Sequence, residues 1–203
     1  MMTNKRSILL ALCLGLLLLG CSGGEISLTE YVERVNAAAE PAGQKGAELL
    51  AEAAQVTDLT PQILQGGLER GLREIRIPLQ EAVDDIEPPA QVADLHHLMW
   101  DWHASFLSVE EALAARAGIA EDTATGWEAL SKSPEMAAYR AAIAEGKTVC
   151  TEFQAKLDAT AERGVFADVP WLPSELSEVV EAALGCEWFP ENPEDVYRYP
   201  PPT

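Results

Sequence analysis

The 203-residue sequence predicts an all-α fold, a bundle of about five helices followed by a non-helical, proline- and aromatic-rich tail. Three observations carry this. Apolar residues recur at steps of three and four through most of the chain, the period of one helix face. Helix start and stop signals bracket those stripes. No run alternates apolar and polar residues as a half-buried strand does, and no internal repeat recurs at a fixed period.

The first helix opens at Ser27-Leu-Thr-Glu30, a capping-box pattern, and Tyr31 and Val35 continue its apolar face. Pro41 and Gly43 are expected to interrupt it, with a second short helix over Gln44–Gln55. Thr60-Pro61 starts the next, an N-cap followed by proline at the first helical position. Its stripe is Leu64, Leu68, Leu72, Ile75, Leu79, Val83 and Ile86. Pro78 falls inside, but the stripe stays in phase across it, so one kinked helix is expected.

Pro88-Pro89 separates this helix from the cleanest stripe in the chain: Val92, Leu95, Met99, Trp102, Phe106, Val109 and Leu113. Trp100 and Leu107 form a second ridge, with His96 and His103 between the two. A helix so apolar around its circumference is largely buried, and it is the expected centre of the body. Residues 118–133 form a connection with room for one short helix around Trp127. Ser133-Pro134-Glu135 opens another long helix along Met136, Tyr139, Ile143, Gly146, Cys150, Phe153 and Leu157, stopped by Gly164. After a bend at Val169–Pro173, Ser174 is expected to cap a last helix carrying Leu176, Val180 and Leu184, closed by Gly185. Residues 188–203 hold five prolines and four aromatics.

Ahead of the bundle, Lys5 and Arg6 precede an uncharged apolar run, Ile8–Leu19, of the length of a signal-peptide h-region. A comfortable membrane span needs about 20 apolar residues. The run ends in Leu18-Leu19-Gly20-Cys21, which resembles the lipobox of bacterial lipoproteins. The resemblance implies lipidation at Cys21, with at least a diacylglycerol, and cleavage before it. It implies a bacterial membrane protein anchored on the extracytoplasmic face, periplasmic or at the cell surface. The stretch from Ile86-Glu-Pro-Pro to Leu95-His96 also resembles a pattern in uncharacterised bacterial lipoproteins that brings no activity with it. The expected organisation is a signal peptide at 1–20, a tether at 21–26, the helical domain at 27–186 and the tail at 187–203.

Removing residues 1–20 leaves 183 residues, enough for one ordinary domain core. It takes two of the 14 basic residues and none of the 33 acidic ones, so the net charge falls from −19 to near −21. So acidic a chain disfavours nucleic acid, whose phosphates need Lys and Arg. It disfavours lying flat on an anionic leaflet for the same reason, which leaves anchoring to the lipid. Of four cysteines, Cys13 leaves with the signal peptide and Cys21 takes the lipid. An exported domain most simply pairs the remaining two, Cys150 and Cys186.

The remaining chemistry-bearing residues are few. His96 and His103 lie on one side of the central helix, but seven residues rise about 10 Å, too far for one ion to take both rings. Either they are buried rings hydrogen-bonded to the bundle, or they mark a ligand-binding interior. Asp94, His97 and Asp101 step by three and four, which places three metal-capable side chains on one polar surface. Ordinary solvated contacts compete with a metal site there. Adjacent carboxylates such as Asp84-Asp85 and Glu110-Glu111 read as solvated surface. There is no G-x-S-x-G, Walker loop, G-x-G-x-x-G or HExxH, and Glu191–Asp195 lacks the order of an EF-hand. The sequence therefore implies no enzyme and no cofactor.

Two functional classes compete. One is a non-enzymatic, membrane-tethered module of the cell envelope with a protein partner. The other is a small-ligand or metal-binding lipoprotein using the interior near His96 and His103. In the tail, Trp188 and Phe189 are expected to fold back onto the bundle beside the cysteine pair. For Tyr197–Thr203, a polyproline ligand and an unordered end stay open.

Overall fold

The computed structural model describes residues 25–56, 58–186 and 189–197, with the side chains of 182–184 outside that description. Residues 1–24, with the signal and lipobox, therefore lie outside the described residues, as do Trp188, residues 198–203 and the side chain of Leu184.

Among the described residues six helices form the body. α1 is Leu28–Ala53, capped by the Ser27 side chain, which accepts from the Glu30 N–H. α2 combines Pro61–Gly71, a π-turn at Leu72–Arg76, and Ile77–Asp84. α3 is Ala93–Gly118, α4 Ala124–Ser131, α5 Pro134–Glu162 and α6 Leu172–Leu184. Among the described residues there is no strand. α3 is the centre: it packs along α5 on one side and α2 on the other, while α1 packs against α6 and α2.

Several local expectations are corrected. Pro41 does not interrupt α1, which runs unbroken through it. Pro41 faces solvent between buried Ala39 and Ala42, so the carbonyl it leaves unpaired can turn to water. α2 also passes its proline. The Ile77 N–H reaches back to the Leu72 carbonyl, a widened turn immediately ahead of Pro78. That turn makes room for the proline ring, which in a regular helix clashes with the carbonyl four residues back. α6 begins two residues earlier than Ser174, because Pro173 fits its first turn and Leu172 is fully buried. Gly185, at φ 65°, ends it in the left-handed conformation that glycine adopts without a Cβ penalty.

The central stripe is buried as its spacing requires: Val92, Leu95, Met99, Trp102, Phe106 and Leu113 are each at most 6% exposed. Trp100 joins them, and Val109 lies at the edge of the core. Cys150 and Cys186 are joined in a disulfide with Cα atoms 6.1 Å apart, tying α5 to the end of α6. Beyond it, residues 189–197 lie back across the α3–α5 face as a strap. The tail is not wholly irregular, since Pro193–Asp195 forms a 3₁₀ turn with the Asn192 side chain accepting from the Glu194 N–H.

Candidate functional site

The interior between α2, α3 and α5 is polar where an all-apolar core would be simpler. Arg76, the last residue of the π-turn, approaches Glu110 of α3 with Nε 2.6 Å from Oε2. It is a close charge contact without an aligned hydrogen bond. The same guanidinium lies 4.9 Å from the centroid of the Phe106 ring, a cation–π position. Glu110 is only 4% exposed, which corrects the reading of Glu110-Glu111 as solvated surface. Glu110 falls four residues beyond Phe106, so it points inward with that ring, while Glu111 points out. Burial pushes the Glu110 carboxyl up, and Arg76 opposes the shift.

Tyr139 of α5 and Tyr197 of the strap complete this cluster. Their ring centroids are 5.8 Å apart, with the ring planes tilted by 31°. Burial raises both phenols, so both stay protonated at neutral pH. Phe106 stands 5.4 Å from Tyr139 and stacks 5.0 Å from Trp102, and Trp102 in turn meets Phe189 edge-on at 5.9 Å.

The histidines form a second line on the neighbouring side of α3. Tyr31 of α1 hydrogen-bonds His96 Nδ1 at 3.1 Å. His103 Nδ1 lies 2.7 Å from Gln80 Oε1. The amide Nε2 of Gln80 donates to Asp84, so its oxygen is the atom that faces His103, and His103 carries its proton on Nδ1. Trp100 stands between the histidines, 6.4 Å from His96 and 5.7 Å from His103 by ring centroid. Burial drives His96 down to about 4, helped by His97, and His103 down to about 3, helped by Arg76. Both rings are neutral at physiological pH. Two buried atoms here, Trp100 Nε1 and His103 Nε2, have no partner among the described protein atoms.

The other sequence candidates fall elsewhere. Asp94, His97 and Asp101 share the outer face of α3, with His97 Nδ1 3.9 Å from Asp101 Oδ1 and both side chains well exposed. Among the described residues, no three His, Cys, Asp or Glu side chains are gathered closely enough to hold a metal ion. Cys150 and Cys186 border a shallow groove of about 260 Å³ between α5 and α6, with Gln154, Ser177 and Glu181. Cys21 lies outside the described residues.

Sequence reasoning missed Arg76, Glu110, Tyr139 and Tyr197 as a group. The only signal was Glu110 itself, a charged residue within reach of the buried face of the central helix. Its partner could not be read from spacing because it comes from another helix.

The fold and this interior define a helical bundle with a buried ion pair and aromatic cluster, closed over by its own C-terminal segment. No protein-family model, curated protein or solved structure matches the chain.

Proposed function

We propose that the chain is a lipid-anchored, extracytoplasmic binding module of a bacterial envelope, acting through a protein partner and not as an enzyme. One observation carries this: Leu18-Leu19-Gly20-Cys21, after a charged and then apolar leader, stands directly ahead of the folded body that α1 begins at Leu28. A body starting so few residues from a lipidated cysteine would sit against the membrane surface. No described helix is long and apolar enough to cross a membrane, so among those residues none offers an alternative helical span. Both buried histidines are tied into the packing between helices, His103 by Gln80 and His96 by Tyr31. The test is Cys21→Ala followed by cell fractionation. The wild type sediments with membranes in processed form, and the variant loses that. A processed variant still in the membrane fraction overturns the anchor.

A second reading rests on Trp100 Nε1 and His103 Nε2, an unpaired donor and an unpaired acceptor whose rings meet in the core. They favour a small polar ligand held near His96 and His103. A native mass spectrum of the protein purified from its own host tests it: a retained small molecule supports this reading, and a bare chain removes it.

A further inference from the structure

We propose that the α3–α5 groove under the strap is a receptor for an extended acidic peptide with two aromatic anchors, presented by a partner protein, and that residues 189–197 are its intramolecular competitor. This rests on reading the chain as a binding module and not on its membrane anchor.

The strap is held as a ligand is held. It has no regular structure except one 3₁₀ turn. Its grip includes two rings in prepared positions and a main-chain contact, with Val196 packed against the core between them. Phe189 sits over Gly146, where the missing side chain leaves room: a Cβ there would come within 2.9 Å of the Phe189 ring. Tyr197 lays its ring by Tyr139 and closes off the Arg76–Glu110 pair. Between them Arg140 donates from Nε to the Val196 carbonyl at 3.1 Å, while its Nη1 is fixed on the Ser131 carbonyl at 3.1 Å. A main-chain acceptor read by a pre-held arginine accepts any sequence, whereas the two ring positions select aromatics.

Charge agrees. The segment between the anchors carries Glu191, Glu194 and Asp195. Arg140 lies 3.5 Å from Glu194, so a cation lines the path in a chain of net charge −19. The groove's floor also does not depend on the strap. Trp102, Phe106, Tyr139 and Gly146 belong to α3 and α5, the most extensively packed helix pair. Finally, Tyr197 sits at φ 49°, a conformation a non-glycine residue adopts only at a cost and one concentrated at clamps and switch regions. The strap is thus docked with a strained last anchor, which favours exchange.

The experiment uses the full chain with Phe189→Ala and Tyr197→Ala, which loosens the strap and leaves the groove intact. A fluorescent peptide of residues 189–197 is titrated and its anisotropy followed. Saturable binding is expected, at least about tenfold tighter than to wild type, whose tethered strap competes at an effective concentration near millimolar. The same peptide with both rings replaced by alanine should not bind. No saturable binding to the folded loosened chain, or equal binding of the alanine peptide, overturns the proposal. A concentration-dependent wild-type dimer by light scattering also overturns it, because the occupant would then be a second copy's tail. If the loosened chain does not fold, hydrogen exchange on the wild type decides: strap amides should exchange far faster than those of α5, and equal protection overturns the proposal. The Cys21→Ala fractionation reads only the anchor, so the two ideas fail separately.

Discussion

Trp102 packs so tightly against Gly146 that a Cβ on the glycine would lie 2.4 Å from Trp102 Cζ2. The contact is between α3 and α5, and Phe189 covers it from the strap. Gly146→Ala should therefore destabilise the protein by about 1–3 kcal/mol through overpacking. That outweighs the ~1 kcal/mol that alanine gains over glycine inside a helix. Gly43→Ala is the control, since nothing lies within 4 Å of a Cβ there. It should stabilise by about 0.5–1 kcal/mol. Urea denaturation midpoints of the two variants should move in opposite directions.

Trp102→Ala removes a 6%-exposed ring stacked on Phe106, with its Nε1 donating to the Ala142 carbonyl at 3.3 Å. The expected cost is about 3–5 kcal/mol. Asp101→Ala, one residue away with its side chain 78% exposed, should cost no more than about 0.5 kcal/mol. Chemical denaturation of both variants checks the helical phase, and equal costs would contradict it.

The Arg76–Glu110 pair should respond unequally to losing either member. Arg76→Ala leaves a buried carboxylate without its counter-charge, a loss of about 3–5 kcal/mol for a buried pair. Glu110→Ala leaves a guanidinium that already reaches solvent, so it should cost less. The folded Glu110 carboxyl lies above its ordinary value, and without Arg76 it should rise further. Its cost is full where both states are ionised, fades as pH falls from the raised folded value toward the unfolded value near 4.5, and is gone below that. Thermal unfolding of Arg76→Ala should therefore recover toward wild type between pH 7 and pH 4.5.

His103 should set part of the acid limb of stability. Its folded value of about 3 lies below the ordinary 6.5, so below pH 6.5 the unfolded chain binds a proton the folded chain refuses. Stability falls as pH drops, by about 2 kcal/mol at pH 5 from this group alone. His103→Gln should be less stable than wild type at pH 7 but lose less between pH 7 and pH 5. Equal slopes for the two proteins would place the acid sensitivity elsewhere.

The helices were legible because burial imposes a period. Val92 to Leu113 steps by threes and fours, and all of those positions except half-buried Val109 are buried. The cysteine pairing followed from elimination, and the disulfide joins the expected two. Pro41 misled because proline's local cost was weighed without knowing that its face meets water. The π-turn was illegible because a widened turn leaves the stripe nearly in phase, so Leu72 and Leu79 look alike from either geometry. Glu110 was misread because adjacent glutamates look equivalent and its place four residues beyond Phe106 was not weighed; its partner Arg76 comes from a neighbouring helix, which spacing does not show. Phe189 was expected against the bundle from its size alone. That it would seat over Gly146 needed the glycine's close approach to Trp102, which spacing does not encode.

The disulfide bridges the connection between α5 and α6, an exposed stretch from Arg163 to Trp171 broken only by buried Phe166 and half-buried Val165 and Val169. That stretch is the natural place for a protease to nick the chain. A cut there would sever the backbone without releasing anything. α6 and the strap would stay on the same molecule, held by sulfur instead of peptide, and the two fragments would part only in a reducing environment. For the last fifth of the chain, covalent attachment is thus decoupled from the integrity of the polypeptide.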